Sequence, residues 1–265
     1  MNRRLGQRMT ARLVVPLCAA VMMVASSTVS AGAAPVVGTD ISWPQCGRSY
    51  PAPSAFSILG VNGGRPYTAN PCLAAEYRWA RSSGVVEFYM NTANPGVAMG
   101  DAYNYGFGAA RYAFTYATAH LGAGAGHLWW LDVETGNTWS PDQGANTAVI
   151  TGSVAFFRAH GVRVGIYSTK YQWGLLTGGA SIASVPNWVP GARSAREAPS
   201  FCAAWRSFSG GPVVMAQYTT VFDYDYLCPG VSLPALTAGP PPGLPPPDVG
   251  ISNLVNGILA WLNAR

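Results

Sequence analysis

The chain has 265 residues, of which 49% are hydrophobic and only 10% charged, with a formal net charge of +5 at pH 7. Four of its 16 basic residues are arginines within the first 34 positions, so the remainder carries 12 basic against 11 acidic residues. A nearly neutral chain without a basic stripe lacks the charge that nucleic-acid binding requires, and we expect no nucleic-acid partner.

Residues 1–34 are predicted to be an export signal. Four arginines within the first twelve positions precede an apolar stretch at 13–25, which small residues at 31–34 follow. Neither this stretch nor any later segment is long enough for a membrane-spanning helix. We therefore expect a secreted, extracellular protein without a transmembrane segment, either free or associated with the cell wall. The pattern leaves open whether export uses the Sec or the twin-arginine route.

Residues 35–232 are predicted to form one α/β domain, because short β-rich runs alternate there with helical segments. The predicted helices cover 72–81, 102–121 and 143–160, and a proline lies near the start of the first and the third. The predicted strands cover 38–41, 56–61, 85–90, 128–133, 162–167, 187–189, 213–218 and 222–225.

The connection between the last two predicted strands is unusually short. Only three residues separate Tyr218 from Phe222, too few for the crossover that parallel strands need, so these strands must pair through a tight turn. The length of the domain fits a compact barrel better than two separate domains.

Beyond the predicted domain the composition changes. Proline runs at 240–242 and 245–247 predict an extended linker over 233–249. Residues 250–265 predict an amphipathic helix with one apolar stripe. This pattern fits a helix that docks on the barrel as well as one that binds a partner or a surface.

Four cysteines remain after the export signal, an even number that suits an oxidising exterior: Cys46, Cys72, Cys202 and Cys228. Three pairings are possible. We favour Cys46 with Cys72 and Cys202 with Cys228, because each of these pairs flanks a single strand-plus-loop unit.

The sequence predicts neither a metal nor a cofactor. His120, His127 and His160 are scattered, and the cysteines lack zinc-ligand spacing. The glycines at 122–126 follow a helix and precede a strand, the reverse of a dinucleotide-binding motif, and no P-loop is present.

The fourth predicted strand ends in two acids, Asp132 and Glu134. Side chains at i and i+2 of a strand share a face, so these two carboxyl groups stand roughly 6.5 Å apart. Paired carboxyl groups at such distances cleave glycosidic bonds, one protonating the leaving oxygen and the other stabilising positive charge on the sugar. The alternative is a solvated turn that contains two incidental acids.

Other acids also fall at strand ends, where parallel barrels place their active sites. Asp40 ends the first predicted strand, and Asp223 and Asp225 lie in the eighth. Aromatic residues at or just beyond strand ends could stack on sugar rings, although large aromatics are equally common in cores; these are Trp43, Tyr89, Trp130, Trp139, Tyr167, Trp173 and Tyr218. Trp129 and Trp130 must point to opposite faces, so only one of them can line the barrel interior.

In order along the chain, several motifs resemble those of the family 25 glycoside hydrolases, the lysozyme-like N-acetylmuramidases of bacteria and phages. They are Gly-Thr-Asp-Ile-Ser-Trp-Pro-Gln at 38–45, Leu-Asp-Val-Glu at 131–134, Gly-Ile-Tyr-Ser at 165–168, Ala-Gln-Tyr-Thr at 216–219 and Asp-Tyr-Asp at 223–225. The chain resembles an actinobacterial branch of exported family 25-like domains more than it resembles a proven muramidase.

The resemblance implies a TIM-barrel-like fold of five β/α units followed by three strands. It also implies a secreted hydrolase that cleaves β-1,4 bonds in N-acetylated cell-wall glycan, the peptidoglycan. Glu134 would be the general acid, while Asp40, Asp132 and Asp223 would support positive charge on the sugar and orient its N-acetyl group. The candidate substrate-binding residues are Trp43, Asn62, Tyr89, Asn91, Trp130, Tyr167, Gln217, Tyr218 and Asp225.

Two departures from the family pattern keep a second hypothesis open. The third strand ends in Phe-Tyr-Met-Asn at 88–91 where the family has a Tyr-His-Phe-like end, and Asp225 stands where Asn is usual. The changed strand favours a non-catalytic barrel that binds wall glycan or a wall protein, whereas the retained acids favour the hydrolase. The stereochemical outcome of hydrolysis stays open.

Overall fold

The computed structural model describes residues 34–96, 100–122, 127–182 and 184–234. Eight strands in these ranges form a closed barrel in chain order. They are β1 (Val37–Ile41), β2 (Phe56–Gly60), β3 (Val85–Asn91), β4 (Trp129–Asp132), β5 (Val164–Tyr167), β6 (Asn187–Ala192), β7 (Val213–Thr219) and β8 (Asp223–Leu227). The predicted TIM-barrel-like fold is confirmed. The predicted export signal up to residue 33, and the linker and helix beyond residue 234, lie outside the described residues.

Five α-helices follow β2 to β6 along the described chain: α1 (Leu73–Ala80), α2 (Ala102–Leu121), α3 (Gln143–Ala159), α4 (Lys170–Thr177) and α5 (Ala198–Phe201). The bounds of α2 agree with the predicted 102–121, because Asp101 caps its first turn and Gly122 ends it in a left-handed conformation. The short α4 and α5 were not predicted. The connection from β1 to β2 holds only a 3₁₀ helix, Trp43–Gln45, so the first of the five expected β/α units lacks an α-helix.

The two long helices pack closely on each other through glycine. A Cβ atom at Gly106 of α2 would lie 1.9 Å from the Val149 carbonyl oxygen, and one at Gly152 of α3 would lie 2.1 Å from the Tyr103 carbonyl oxygen. Only glycine permits this approach. The pair covers the outside of the barrel near β4, where Trp129 packs on Phe157 with ring centroids 4.9 Å apart.

Strand direction decides which residues share the mouth of the barrel. Neighbours from β1 to β7 pair in parallel, whereas β8 is antiparallel to both β7 and β1. The predicted tight turn between the last two strands is thereby confirmed. Because β8 runs in reverse, its first residue, Asp223, lies beside Asp40 at the same end of the barrel.

The barrel interior is a packed apolar core below the mouth. Trp130 lies inside it with Phe56, Ile58 and Met215, whereas its neighbour Trp129 lies outside, under the helices. A Cβ atom at residue 165 would come within 2.2 Å of the Trp130 ring, so glycine at this position of β5 makes room for the indole.

Both predicted disulfides are confirmed. Cys46 pairs with Cys72 and Cys202 with Cys228, each across 26 residues of sequence. The first joins the loop after β1 to the start of α1, and the second joins the end of α5 to the residue after β8. None of the described helices combines the length and the apolar character needed to cross a membrane.

Candidate active site

A pocket of about 300 Å³ opens at the mouth of the barrel. Four acids from three strand ends and one adjoining loop line it together with amide, hydroxyl and aromatic side chains. Its lining residues are Asp40, Tyr89, Asn91, Asp132, Glu134, Tyr167, Trp188, Gln217, Thr219 and Asp223.

One side of the pocket, called here the parallel wall, consists of Asn91, Asp132, Glu134 and Tyr167. The side-chain amide of Asn91 donates a hydrogen bond to Oδ2 of Asp132. The amide of Asn137 adds hydrogen bonds to the Asp132 carbonyl oxygen at 3.2 Å and to its Oδ2 at 3.5 Å. Two amide donors therefore converge on one carboxylate oxygen.

Glu134 is held through its backbone rather than through its carboxyl group. The indole N–H of Trp139 donates to the Glu134 carbonyl oxygen at 2.8 Å. The next residue, Thr135, donates its backbone N–H to Oε1 of Gln172 on α4 at 2.6 Å. The turn after β4 is thus fixed, while no described residue donates a hydrogen bond to the partly exposed Glu134 carboxyl group.

The opposite side, called here the antiparallel wall, consists of Asp40, Gln217, Thr219 and Asp223. The Gln217 amide donates to Oδ2 of Asp40 at 2.8 Å, and the Thr219 hydroxyl donates to Oδ1 of Asp223 at 2.6 Å. The Tyr167 hydroxyl donates to Oε1 of Gln217 at 2.8 Å and so links the two walls.

Burial and mutual repulsion raise the pKa of three pocket acids, Asp40, Asp132 and Glu134. Burial and the charge of Asp223 raise the pKa of Asp40 to about 7, although the Gln217 hydrogen bond works against this rise. Burial and the charge of Glu134 raise the pKa of Asp132 well above its usual range. Burial and the charge of Asp223 also raise the pKa of Glu134. Such a cluster keeps a protonated carboxyl group available near neutral pH.

Comparisons with known proteins agree with this geometry. A family model described as lysozyme-like protein 1 matches residues 108–212. A probable GH family 25 lysozyme of Dictyostelium discoideum is 37% identical over 60 residues, which are 22% of this chain and 28% of that protein. The match thus spans less than a third of the relative's length.

Solved structures extend the likeness to the whole barrel. A muramidase from Trichobolus zukalii is 20% identical with a TM-score of 0.53, over 77% of this chain and 97% of that one. A bacterial lysozyme from Streptomyces coelicolor is 20% identical with a TM-score of 0.52, over 79% and 97% of the two chains. A family GH25 lysozyme from Aspergillus fumigatus is 15% identical with a TM-score of 0.51, over 78% and 100%.

The resemblance to the family 25 glycoside hydrolases is confirmed. At these identities the solved structures establish the shared fold. The matched range 108–212 includes Asp132, the last residue of β4, and Glu134 in the loop that follows, but neither Asp40 nor Asp223.

Eight of the predicted site residues line the pocket. They are the four acids Asp40, Asp132, Glu134 and Asp223, together with Tyr89, Asn91, Tyr167 and Gln217.

Five predicted substrate-binding residues do not line the pocket. Two of them, Trp130 and Tyr218, have side chains that lie away from it, which corrects the prediction. Trp130 is fully buried and donates its indole N–H to Oε2 of Glu87 at 2.8 Å, one layer below the pocket. Tyr218 follows the inward-facing Gln217 on β7, so it points to the outer face, where it stacks on Tyr224 at 5.3 Å.

The other three lie around the pocket. Asn62 is buried, and its side chain exchanges two hydrogen bonds of 3.1 Å with the backbone of Asn91, so it holds the end of β3 in place. Trp43 is 46% exposed on the 3₁₀ helix after β1, outside the pocket lining. Asp225 is completely buried beneath the pocket.

Sequence reasoning missed Trp188 and Thr219. Trp188 lies beside Tyr167 in the strand register, with ring centroids 4.6 Å apart. The predicted strand at 187–189 ends without a polar residue, so nothing in its sequence marked Trp188. Thr219 could have been found, because it lies two residues after Gln217 on the same strand face.

Proposed function

We propose that this protein is a secreted, lysozyme-like glycoside hydrolase that cleaves β-1,4 bonds in N-acetylated cell-wall glycan. The observation that carries the proposal is one pocket that contains four carboxyl groups, in which amide donors reach Asp132 but not Glu134. The names of the similar proteins, muramidase and lysozyme, support the same reaction and substrate class.

Glu134 is the general acid in this proposal. Amide hydrogen bonds favour the ionised form of a carboxyl group, so Asn91 and Asn137 favour an ionised Asp132. Glu134 receives no such bond, and burial together with the charge of Asp223 disfavours its ionisation. Because burial and mutual repulsion raise the pKa of both Asp132 and Glu134, the pair holds a proton, and we assign it to Glu134, which is the more exposed of the two acids and can reach a glycosidic oxygen.

The remaining acids stabilise positive charge. Cleavage of a glycosidic bond passes through an oxocarbenium-like transition state, and carboxylates fixed beforehand around it lower its energy. Asp132, Asp40 and Asp223 surround the pocket on both walls and supply this negative charge, and they orient the N-acetyl group of the sugar. The hydroxyl groups of Tyr89 and Tyr167 provide additional polar contacts for the glycan.

The proposed setting is extracellular. Two disulfides suit an oxidising compartment, and peptidoglycan is an extracellular substrate. The proposed chemistry uses carboxyl groups alone and requires neither a metal nor a cofactor.

The changed end of the third strand does not favour the non-catalytic alternative. Asn91, which ends this strand, donates its amide to Asp132 and is itself held by Asn62. The residue that departs from the family pattern, Asn91, therefore holds the side chain of Asp132, one of the pocket acids. A barrel that only binds glycan would not need several acids desolvated in one pocket.

Hydrolysis of purified peptidoglycan, followed by turbidity and by release of reducing ends, tests the proposal. Glu134→Gln removes the transferable proton and should lower the rate by roughly 10² to 10⁴ while retaining glycan binding. Glu197→Gln is the matched control, because Glu197 pairs with Arg193 outside the pocket. Equal activity of wild type and Glu134→Gln would refute the assignment, and a wild type that binds without cleaving would favour the binding barrel.

A further inference from the structure

Asp225 occupies the layer directly below the pocket. It lies two residues after Asp223 on β8 and therefore faces the same interior. The strand register pairs it with Gly38 of β1 and with Gln217 of β7, so it lies beneath Asp40. Its side chain has no solvent exposure.

No described donor satisfies the Asp225 carboxyl group. Both of its oxygens are buried and accept no hydrogen bond from any N–H or hydroxyl group of the described residues. A buried, ionised carboxylate without donors is strongly unfavourable. The strand register places the carboxyl group of Asp40 one layer above that of Asp225, on the neighbouring strand β1, and Asp40 is the first of the acids that act on Asp225 electrostatically. Two carboxyl groups can share a hydrogen bond only if one of them carries a proton.

The surroundings of the two carboxyl groups decide which one is protonated. Asp40 accepts the Gln217 amide at 2.8 Å and borders the pocket, so its ionised form is better stabilised than that of Asp225. Asp225 has no such donor and lies deeper. The charged groups that act on it are acids from three strands, namely Asp40 of β1, Glu87 of β3 and Asp223 of β8.

We propose that Asp225 is a positioning residue that remains neutral and donates a hydrogen bond from its carboxyl group to Asp40, thereby fixing the Asp40 carboxylate toward the pocket. Burial and the three neighbouring acids support this, since they raise the pKa of Asp225 well above its usual range. The contribution to catalysis rests on the proposed function, whereas the protonation state does not.

Two variants separate the neutral donor from a buried anion. Asp225→Asn keeps a neutral donor, and Asp225→Leu keeps the approximate size but removes the donor. If Asp225 is a neutral donor, Asp225→Leu should raise the pH at which Asp40 titrates, and Asp225→Asn should change it little. If Asp225 is an anion, both substitutions remove a negative charge and should lower the pH of Asp40 titration.

The measurement is a carbon-13 NMR titration of the full mature protein, labelled at the aspartate carboxyl carbons. Signals of Asp40 and Asp225 are assigned by their loss in Asp40→Asn and Asp225→Asn. Glu87→Gln is the matched control, because it also converts a buried interior acid to an amide but does not contact Asp40.

Peptidoglycan hydrolysis gives the second readout. Asp225→Leu should lower kcat roughly 10- to 100-fold with little change in KM, and Asp225→Asn should restore most of it.

An Asp225 signal that is ionised at neutral pH, or an Asp40 titration that moves down in both variants, would overturn the proposal. Should Asp225→Leu fail to fold, the wild-type titration and Asp225→Asn still decide between donor and anion. A wild type without hydrolytic activity whose Asp225 remains protonated would refute the proposed function but not the hydrogen bond to Asp40.

Discussion

The two walls of the pocket hold their acids by different means. On the parallel wall, Asp132 receives amide hydrogen bonds from Asn91 and Asn137, both located where the chain leaves a strand. On the antiparallel wall, Asp40 receives its amide from Gln217, which lies within β7 itself. The long helices α2 and α3 follow the strands of the parallel wall, whereas three residues connect β7 to β8.

The difference shows that an active-site acid can take its amide support from a loop or from another strand of the barrel. Long connections leave room for loop amides such as Asn137 to turn back onto a carboxylate. At the tight turn between β7 and β8, Thr219 supplies a hydroxyl group to Asp223, whereas the amide support of the antiparallel wall depends on strand register, which pairs Asp40 with Asp223 and Gln217 with Asp225. The Asn137 amide lies 5 residues from Asp132 in sequence, whereas the Gln217 amide lies 177 residues from Asp40.

Among the tests that compare the two walls, neutralising one acid on each wall should give the largest effect. Asp132→Asn and Asp40→Asn each remove a fixed charge near the developing oxocarbenium ion, and each should lower kcat for peptidoglycan roughly 10² to 10³-fold. Asp101→Asn is the control, because Asn caps a helix as well as Asp does and residue 101 caps α2 outside the pocket. A variant with full activity would show that its wall takes no part in catalysis.

The two disulfides provide a matched test of stability near the two walls. Each spans 26 residues, so chain entropy predicts that the double variants Cys46→Ser/Cys72→Ser and Cys202→Ser/Cys228→Ser lose similar free energies of unfolding, about 3 kcal/mol each. Urea unfolding measures both. A much larger loss for Cys202→Ser/Cys228→Ser would show that the helix-free strands near β8 depend more strongly on their covalent link.

Glu87, in the interior between the walls, should make stability depend on pH. Burial raises its pKa to about 7, so the folded state favours its protonated form. Its stabilising contribution is therefore complete at pH values below the unfolded pKa and is lost as pH rises through about 7. The loss amounts to at most about 3 kcal/mol.

Glu87→Gln tests this dependence, since glutamine does not titrate and its carbonyl oxygen can still accept the Trp130 indole N–H. The stability of this variant relative to wild type should increase between about pH 4.5 and about pH 8 in urea unfolding. A constant difference across that range would show that Glu87 titrates normally. Asp40 gives the wild type and the variant alike a stability that falls as pH rises, because its pKa is also raised to about 7.

Much of this organisation could be predicted, because the features that specify it are local in sequence. Helix α2 combines an Asp cap, an alanine-rich body and a glycine stop, so its bounds were predicted correctly. The short connection after Tyr218 required an antiparallel last strand. The acids at strand ends needed only the rule that parallel barrels carry their sites there.

Whether an individual aromatic side chain points into the barrel or away from it could not be predicted, because its direction depends on tertiary packing. Sequence showed that Trp129 and Trp130 lie on opposite faces, but the inward direction of Trp130 depends on Glu87 and on the space at Gly165. Trp188 enters the pocket lining through its pairing with Tyr167 of β5. Helices α4 and α5 are short, and short segments carry little periodicity from which to infer a helix.

The smallest effect on stability is expected from removing the residues that follow the antiparallel wall, where the chain continues beyond β8. Leu233 packs, partly buried, against the barrel-interior cluster, so a test truncation must keep it. The barrel closes through pairing of β8 with β1 within the described residues. A chain that ends at Pro234 should therefore unfold within about 0.5 kcal/mol of the full-length protein in urea. It should also keep its activity on peptidoglycan, with a chain that ends at Asp248 as the matched control. If the shorter chain is insoluble or much less stable while the longer one is not, residues 235–248 support β8, and the antiparallel wall depends on more than strand register.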